Sequence, residues 1–100
     1  MSPASNDASS TEVRHDADQG RYAVLVDGQV AGFTEARVDG DVVVMPHTEI
    51  DEAFEGRGLA STLVRFALDD LRSQGKKVDP QCSYIKKYIA KHDEYADLVV

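Results

Sequence analysis

Phe54-Glu55-Gly56-Arg57-Gly58-Leu59-Ala60 runs directly into Ser61-Thr62-Leu63-Val64-Arg65-Phe66-Ala67-Leu68-Asp69-Asp70-Leu71-Arg72-Ser73, and this junction decides the fold. Leu59, Leu63, Phe66, Ala67 and Leu71 recur at helical spacing, while Ser61, Thr62, Arg65, Asp69 and Arg72 fill the opposite side. That pattern predicts an amphipathic helix over 59–73, with Gly75 as its stop. Asp70 projects toward the apolar stripe, and the sequence offers no reason for it. At the other end, Gly56, Gly58 and Ala60 keep the entry to the helix free of bulk. The first turn of a helix presents unpaired N–H groups and the positive end of the helix dipole, so a small-residue turn there suits an anion such as a phosphate. The third glycine of a dinucleotide fingerprint and the Lys-Ser/Thr pair of a triphosphate loop are both missing. The glycine pair alone is equally consistent with a plain strand-to-helix connection.

Upstream of this junction the period changes from helical to alternating. Tyr22, Val24 and Val26 fall on one side of an extended segment that ends in the tight-turn pair Asp27-Gly28. Gln29 to Ala36 continues as a second strand. After the Asp39-Gly40 turn, Val42-Val43-Val44-Met45 makes a third, completing an antiparallel meander. Pro46 interrupts pairing, so 47–52 is expected to form another strand or the far half of a bent one, with His47, Glu49 and Asp51 on one face. Downstream, 77–82 reads as a short strand containing Pro80, placed at an edge or where strands separate. A second helix follows, lined by Ile85, Tyr88, Ile89 and His92, with Lys86, Lys87 and Lys91 outside. The order predicts an α/β fold of the α+β type: a mainly antiparallel mixed sheet, a long helix after the glycine turn and a short C-terminal helix.

The remaining constraints come from length and charge. With 100 residues the chain accommodates one domain with one modest core, burying about 60–65% of its unfolded surface. Residues 1–20 carry almost no large apolar groups and are expected to form a disordered tail, leaving 21–100 as the domain. Eighteen acids against eleven bases give a net charge of −7, which disfavours nucleic acid as a partner. No apolar run suits a membrane, and residues 1–20 lack the pattern of a signal peptide, so a cytoplasmic monomer or weak dimer is expected. The single cysteine, Cys82, excludes an internal disulfide and makes a poor nucleus for a structural metal site. Between Lys76 and Lys91 stand five lysines and one acid, Asp79, the one basic stretch of an acidic chain. It reads either as a solvated face or as a partner for a ligand phosphate.

Taken together, the strand, glycine turn and helix resemble the GNAT superfamily of acyl-CoA-dependent N-acetyltransferases, whose pyrophosphate loop has the form Gln/Arg-x-x-Gly-x-Gly/Ala. Glu55, Gly58 and Ala60 occupy its three defining positions. His47-Thr48-Glu49-Ile50-Asp51, the Cys82 to Tyr84 segment and His92-Asp93-Glu94-Tyr95 resemble the minimal, single-domain branch of that superfamily, so the likeness spans about residues 21 to 98. The resemblance implies an N-acetyltransferase that takes acetyl-CoA (coenzyme A) as donor and an amine as acceptor. It places Ile50 and Asp51 along the pantetheine, and Glu55, Gly56, Arg57, Gly58, Leu59, Ala60 and Ser61 around the phosphates. There are two departures. A glutamate, Glu55, replaces the usual Gln or Arg and would repel a diphosphate unless it points away, and the helical insertion that helps form the acceptor pocket of longer members is missing.

Acyl transfer from a thioester needs a base for the nucleophile and an acid for the departing thiolate. Cys82, which the resemblance places where two strands diverge, is a candidate acyl acceptor or acid, or else a buried small residue. His47 is a candidate base toward an amine or toward Cys82, and Glu49, on its face, holds a base position common in the superfamily. Tyr84 and Tyr88 are candidate acids, although tyrosines at helical spacing also build cores. A CoA-binding module without catalysis and a protein-interaction domain on the same scaffold are the alternatives to an enzyme.

Overall fold

A computed structural model describes residues 10–100. The strands are β1 (Thr11–Asp16), β2 (Arg21–Val26), β3 (Gln29–Glu35), β4 (Arg37–Asp39), β5 (Val42–Met45), β6 (Thr48–Ile50) and β7 (Lys77–Pro80). The helices are α1 (Leu59–Ser73) and α2 (Ser83–Lys91), and a run of 3-10 turns over Asp93–Leu98 follows α2. β1-β2-β3-β6 form one sheet and β4-β5-β7 a second. Every pairing is antiparallel except β5 with β7. The expected α+β architecture, with a mainly antiparallel sheet, the long helix and a short second helix, is the one observed.

The two sheets are the halves of one bent hairpin. β3 pairs with β6 through Gly32↔Ile50, Phe33↔Glu49 and Thr34↔Thr48, whereas β4 pairs with β5 through Arg37↔Val44 and its neighbours, a register shifted by one residue. The bend falls where Pro46 supplies no N–H. The Glu35 amide keeps the halves joined by donating to the His47 carbonyl at 2.9 Å. The alternative of a bent strand across Pro46 is thus realised.

Tyr22, Val24 and Val26 face α1, as their alternation predicts, and meet Leu59, Leu63, Val64, Ala67, Leu68 and Leu71 in one core that also takes in Ile85, Ile89 and Tyr95. Phe66, assigned from sequence to the buried stripe, is instead 42% exposed, and Val64 and Leu68 are fully buried in its place. The sheet is wider than a single ridge of the helix, so the helix buries a broader face and Phe66 only leans edge-on against Tyr22, with ring centroids 6.1 Å apart. Asp70 also finds its reason here, because its carboxylate accepts from the Tyr22 hydroxyl at 2.5 Å and from the Gln74 amide at 2.7 Å. A fully buried tyrosine needs such a partner at its polar end.

The expected tail needs correcting. Residues 1–9 lie outside the described residues, but Thr11–Asp16 pairs in full with β2, from Thr11↔Val26 to Asp16↔Arg21. Only Val13 packs against the core. Pairing of backbone groups along the open edge of β2 stabilises this strand more than its own side chains do, and an apolar count cannot register that contribution. The stacked rings of His15 and Tyr22 add to it.

Candidate functional site

The glycine turn forms as its residues require. Asp51 accepts a hydrogen bond from the Ala53 amide at 2.9 Å and starts a single 3-10 turn, Glu52–Phe54. Glu55 is extended, and the chain then passes through Gly56 at φ 84° and Gly58 at φ 72°, both in the left-handed region that glycine adopts without strain. Gly58 is the N-cap of α1, and no side chain caps that end. The first intrahelical acceptor is the Gly58 carbonyl, which takes the Thr62 amide at 3.2 Å. The amides of Leu59, Ala60 and Ser61 are therefore left over as helix-end donors. A Cβ built on Gly56 or Gly58 meets nothing within 4 Å, so neither glycine is there to relieve packing within the chain.

These residues wall a groove of about 220 Å³ lined by Ile50, Phe54, Glu55, Gly56, Gly58, Leu59, Ala60, Ser61 and Tyr84. Seven of the nine positions named from sequence for the donor line it. The other two, Asp51 and Arg57, do not. The Asp51 side chain is committed to Ala53 and its amide to the Ala31 carbonyl, and the residue faces a separate cavity of about 120 Å³ on the other side of β6, shared with Phe33 and Glu49. Arg57 is exposed outside the groove, with its guanidinium 5.4 Å from the centre of the Phe54 ring. Phe54 is a groove residue that sequence reading left unassigned, although its place directly before the glycine turn was a usable signal.

Beyond the groove the strands part. Met45 is the last residue of β5, and its carbonyl accepts from both the Gln81 amide at 3.1 Å and the Cys82 amide at 3.0 Å. From there β6 turns toward β3 and Cys82 caps the start of α2, which places it at the divergence. Its thiol donates to the Thr48 hydroxyl at 3.5 Å, and Thr48 in turn shares a 2.8 Å hydrogen bond with the fully buried Thr34 hydroxyl. Burial pushes the Cys82 thiol up, but hydrogen bonding with Thr48 and with the backbone amides of Ile85 and Tyr84 outweighs burial and holds the thiol below its ordinary value. Thr34 and Thr48 were missed in the sequence, where they read as ordinary strand residues.

His47 and Glu49 lie together, Nε2 to Oε1 at 3.1 Å, with more than half of each side chain exposed. Because side chains alternate along a strand, Thr48 points toward Cys82 while His47 and Glu49 point away. The expected pairing of His47 as a base for Cys82 is therefore corrected: the imidazole serves the opposite face. Tyr84 lines the groove and is 38% exposed. Burial and the neighbouring Tyr88 raise its phenol above the ordinary value against the lowering effect of Ser61, so it stays protonated at neutral pH. Tyr88 lies one turn further along α2, is buried and stacks on His92 with ring centroids 4.0 Å apart. Among the described residues no group of three or more His, Cys, Asp and Glu side chains stands close enough to hold a metal, and no helix is long and apolar enough to cross a membrane.

Known proteins resemble this chain in sequence and in fold. The chain is 32% identical over 87 residues to Protein NATD1 of Xenopus tropicalis, covering 85% of this chain and 80% of that one. It is also 32% identical over 82 residues to Protein NATD1 of Mus musculus, covering 80% and 74%. Among solved structures, the fold is similar to a GCN5-like candidate N-acetyltransferase from Staphylococcus aureus, with a TM-score of 0.68 at 20% identity, covering 89% of this chain and 87% of that one. A candidate acetyltransferase from Deinococcus radiodurans R1 aligns with a TM-score of 0.53 at 29% identity, covering 79% of this chain and 56% of that one. The family model described as GCN5-related N-acetyl-transferase matches residues 21–98, and the chain belongs to that family.

Proposed function

We propose that this chain binds acetyl-CoA in the groove at the start of α1 and transfers the acetyl group to an amine, acting in the cytoplasm. The observation that carries this reading is the uncapped end of α1, where three leftover amides and two left-handed glycines border open space next to the strand divergence at Cys82. The backbone at this end fits a diphosphate, while Glu55, which also lines the groove, opposes one through its carboxylate, so the binding would run through the amides and not through residue 55. No side chain competes for the amides, and the glycines leave room for phosphate oxygens to reach the backbone. Acetyl-CoA would supply a thioester whose acyl carbon is open to an amine.

The transfer forms a C–N bond and breaks a C–S bond, so the amine must lose a proton and the departing sulfur must gain one. The chain provides for the two at separate places. Tyr84 holds a proton on the groove side, as does the Cys82 thiol beside Thr48. His47 and Glu49, on the other face of β6, form a hydrogen-bonded pair able to take a proton from an amine that approaches from that side. This division supports direct attack by the amine, with Cys82 as a proton donor rather than an acyl carrier. A second reading, a module that binds CoA without catalysis, is favoured by the wide exposure of the His47–Glu49 pair, because an exposed base lacks the dry surroundings that strengthen such groups.

The test is an NMR titration of the labelled protein with acetyl-CoA, repeated on Gly58→Val, followed by an acetylation assay over a panel of amines. Saturable shifts at residues 50–61 and 84, lost in Gly58→Val, are expected. Absence of saturable shifts at millimolar acetyl-CoA overturns both readings. Binding without acetylation of any amine leaves the module. Cys82→Ser is expected to retain most turnover, which would exclude an acyl-cysteine route, whereas loss of turnover with intact binding would support a role for the thiol.

A further inference from the structure

An unpaired sheet edge is a row of N–H and C=O groups able to pair with another chain. Among the described residues the other edges are short or closed. β4 and β6 have three residues each, and β7 is covered by the Val78–Val99 bridge and by the Val100 amide, which donates to the Val78 carbonyl at 3.1 Å. β1 is different. It has six residues with no proline, lysine or bulge, and no strand among the described residues pairs with its outer side. We propose that two copies of this chain join along this edge, β1 against β1 in antiparallel register about a two-fold axis at Val13, so that two four-stranded sheets become one continuous sheet.

Which backbone groups face outward follows from the ladder. The Asp27 amide donates to the Ser10 carbonyl at 2.8 Å, so residue 10 is hydrogen-bonded toward β2, and alternation turns Glu12, Arg14 and Asp16 the same way. The N–H and C=O groups of Thr11, Val13 and His15 therefore point to the free edge. A two-fold axis perpendicular to a sheet sets one residue opposite its own copy. β1 is long enough to pair over most of its length only if that residue is Val13 or Arg14. With Val13 on the axis, Val13 meets its copy and each Thr11 meets a His15, and all of these are hydrogen-bonded pairs that exchange two N–H···O bonds apiece.

The side chains select the same register. Glu12 and Arg14 lie side by side on the outer face of β1, with Arg14 Nε 2.9 Å from Glu12 Oε2. With Val13 on the axis, Glu12 of each copy stands opposite Arg14 of the other, in the rows where side chains come closest. With Arg14 on the axis, Arg14 opposes itself, each Glu12 opposes an Asp16, and fewer bonds form. The charges that discourage other strands thus favour this one pairing. On the α1 side, half-buried Val13 is covered by its copy. The exposed Phe66 and the His15 ring, both resting on Tyr22, extend the apolar surface to the edge. The groove lies by β6 at the opposite edge of each sheet, so the pairing leaves it free and does not depend on the acetyl-CoA reading.

The test is sedimentation of the full chain with charge variants. One strand pair makes a small interface, so the wild type is expected to dimerise with a dissociation constant on the order of 100 µM. Arg14→Glu and Glu12→Arg each set like charges opposite one another and should weaken the dimer about tenfold. An equimolar mixture of the two variants puts every Glu opposite an Arg again and should associate as the wild type does. Mixing could not repair a strand that had merely frayed, so recovery separates pairing from loss of fold. Hydrogen exchange should show the Thr11, Val13 and His15 amides protected in proportion to dimer. A wild type that stays monomeric at about 1 mM overturns the proposal. So does a mixture that associates no better than its components, or protection of those three amides that does not change with concentration, which would mean that the edge is covered within one chain.

Discussion

Gly32→Ala tests whether the approach of β3 to β6 that holds the groove is as close as the structure makes it. Gly32 pairs with Ile50 across the ladder and has no left-handed backbone, so alanine is permitted there by its own dihedrals. The obstacle lies across the strand pair. A Cβ at this position would stand 2.5 Å from the Glu49 carbonyl oxygen, 2.5 Å from Ile50 Cδ1 and 3.1 Å from Ile50 Cα. Carbon contacts are favourable near 3.5–4.0 Å. The Ile50 methyl could rotate away, but the Glu49 carbonyl is backbone, so the strands must separate. Overpacking of this kind costs about 1–3 kcal/mol, and a weakened ladder hydrogen bond adds about 1 kcal/mol. Reduced freedom of the unfolded chain offsets about 0.4–1 kcal/mol. A net loss of about 2 kcal/mol follows, which for a chain of this size lowers Tm by about 8–16 °C. Because Ile50 walls the groove, acetyl-CoA affinity should fall as well. Urea unfolding and calorimetric titration read the two effects. Gly40→Ala is the control, since its Cβ meets nothing within 4 Å and only left-handed strain opposes it. If Gly32→Ala is no less stable than Gly40→Ala and binds as the wild type does, the reasoning is wrong.

Tyr22→Phe removes the hydrogen bond to Asp70 inside the core and should cost about 1–2 kcal/mol in urea unfolding. Burial, then Asp70, raises the Tyr22 phenol well above its ordinary value, so its contribution is fully present below about pH 10 and is lost as pH rises further. The variant should accordingly show a shallower alkaline fall in stability, and an unchanged slope would count against the assignment. Thr34→Val leaves Thr48 without its 2.8 Å partner and should cost about 1–2 kcal/mol by the same unfolding measurement. Since the Cys82 thiol is held below its ordinary value, iodoacetamide should label it faster at neutral pH than a solvent-exposed thiol of ordinary acidity, and acetyl-CoA should protect it; labelling unaffected by saturating acetyl-CoA would place the thiol away from the ligand.

The parts of the fold legible in sequence are those whose cause is local. The limits of α1 follow from its apolar period and its glycines, and the turn at Asp27-Gly28 from two residues that tolerate positive φ, found at 52° and 83°. The groove was legible for the same reason, because seven of its nine lining residues belong to one continuous run, 55–61 with 57 excepted, plus Ile50 just before it. β1 was not legible, since its formation depends on the edge that β2 presents and hardly on its own composition. Phe66 was misplaced because helical period identifies a face but not the width of the sheet that will cover it.

The catalytic assignments show where local reading stops. Alternation put His47 and Glu49 on one face, and the structure pairs them at 3.1 Å. The same alternation already required Thr48 to point the other way, so a base at 47 could not also serve a thiol that Thr48 contacts; only the partner across the gap was hidden, because Cys82 is 34 residues further along the chain. A cleft of about 270 Å³ between α1 and α2, lined by Ser61, Tyr84, Lys87, Tyr88, Lys91 and His92, was hidden more deeply. Its walls depend on how α2 lies against α1, and that placement follows from Ile85, Tyr88 and Ile89 packing into the core, with further contacts outside the cleft joining the C-terminal turns to α1. The Tyr95 hydroxyl donates to Asp69 at 2.7 Å, and Arg72 grips Asp97 through two hydrogen bonds of 2.9 and 3.0 Å while also donating to the Glu94 carbonyl. These bonds hold the C-terminal turns on α1, while the buried face of α2 sets Lys87 and Lys91 along the cleft that Ser61 also lines. The basic stretch was therefore visible in the sequence as a charge run, but that two of its lysines wall a cleft depends on how the buried face of α2 packs, which a charge count does not register.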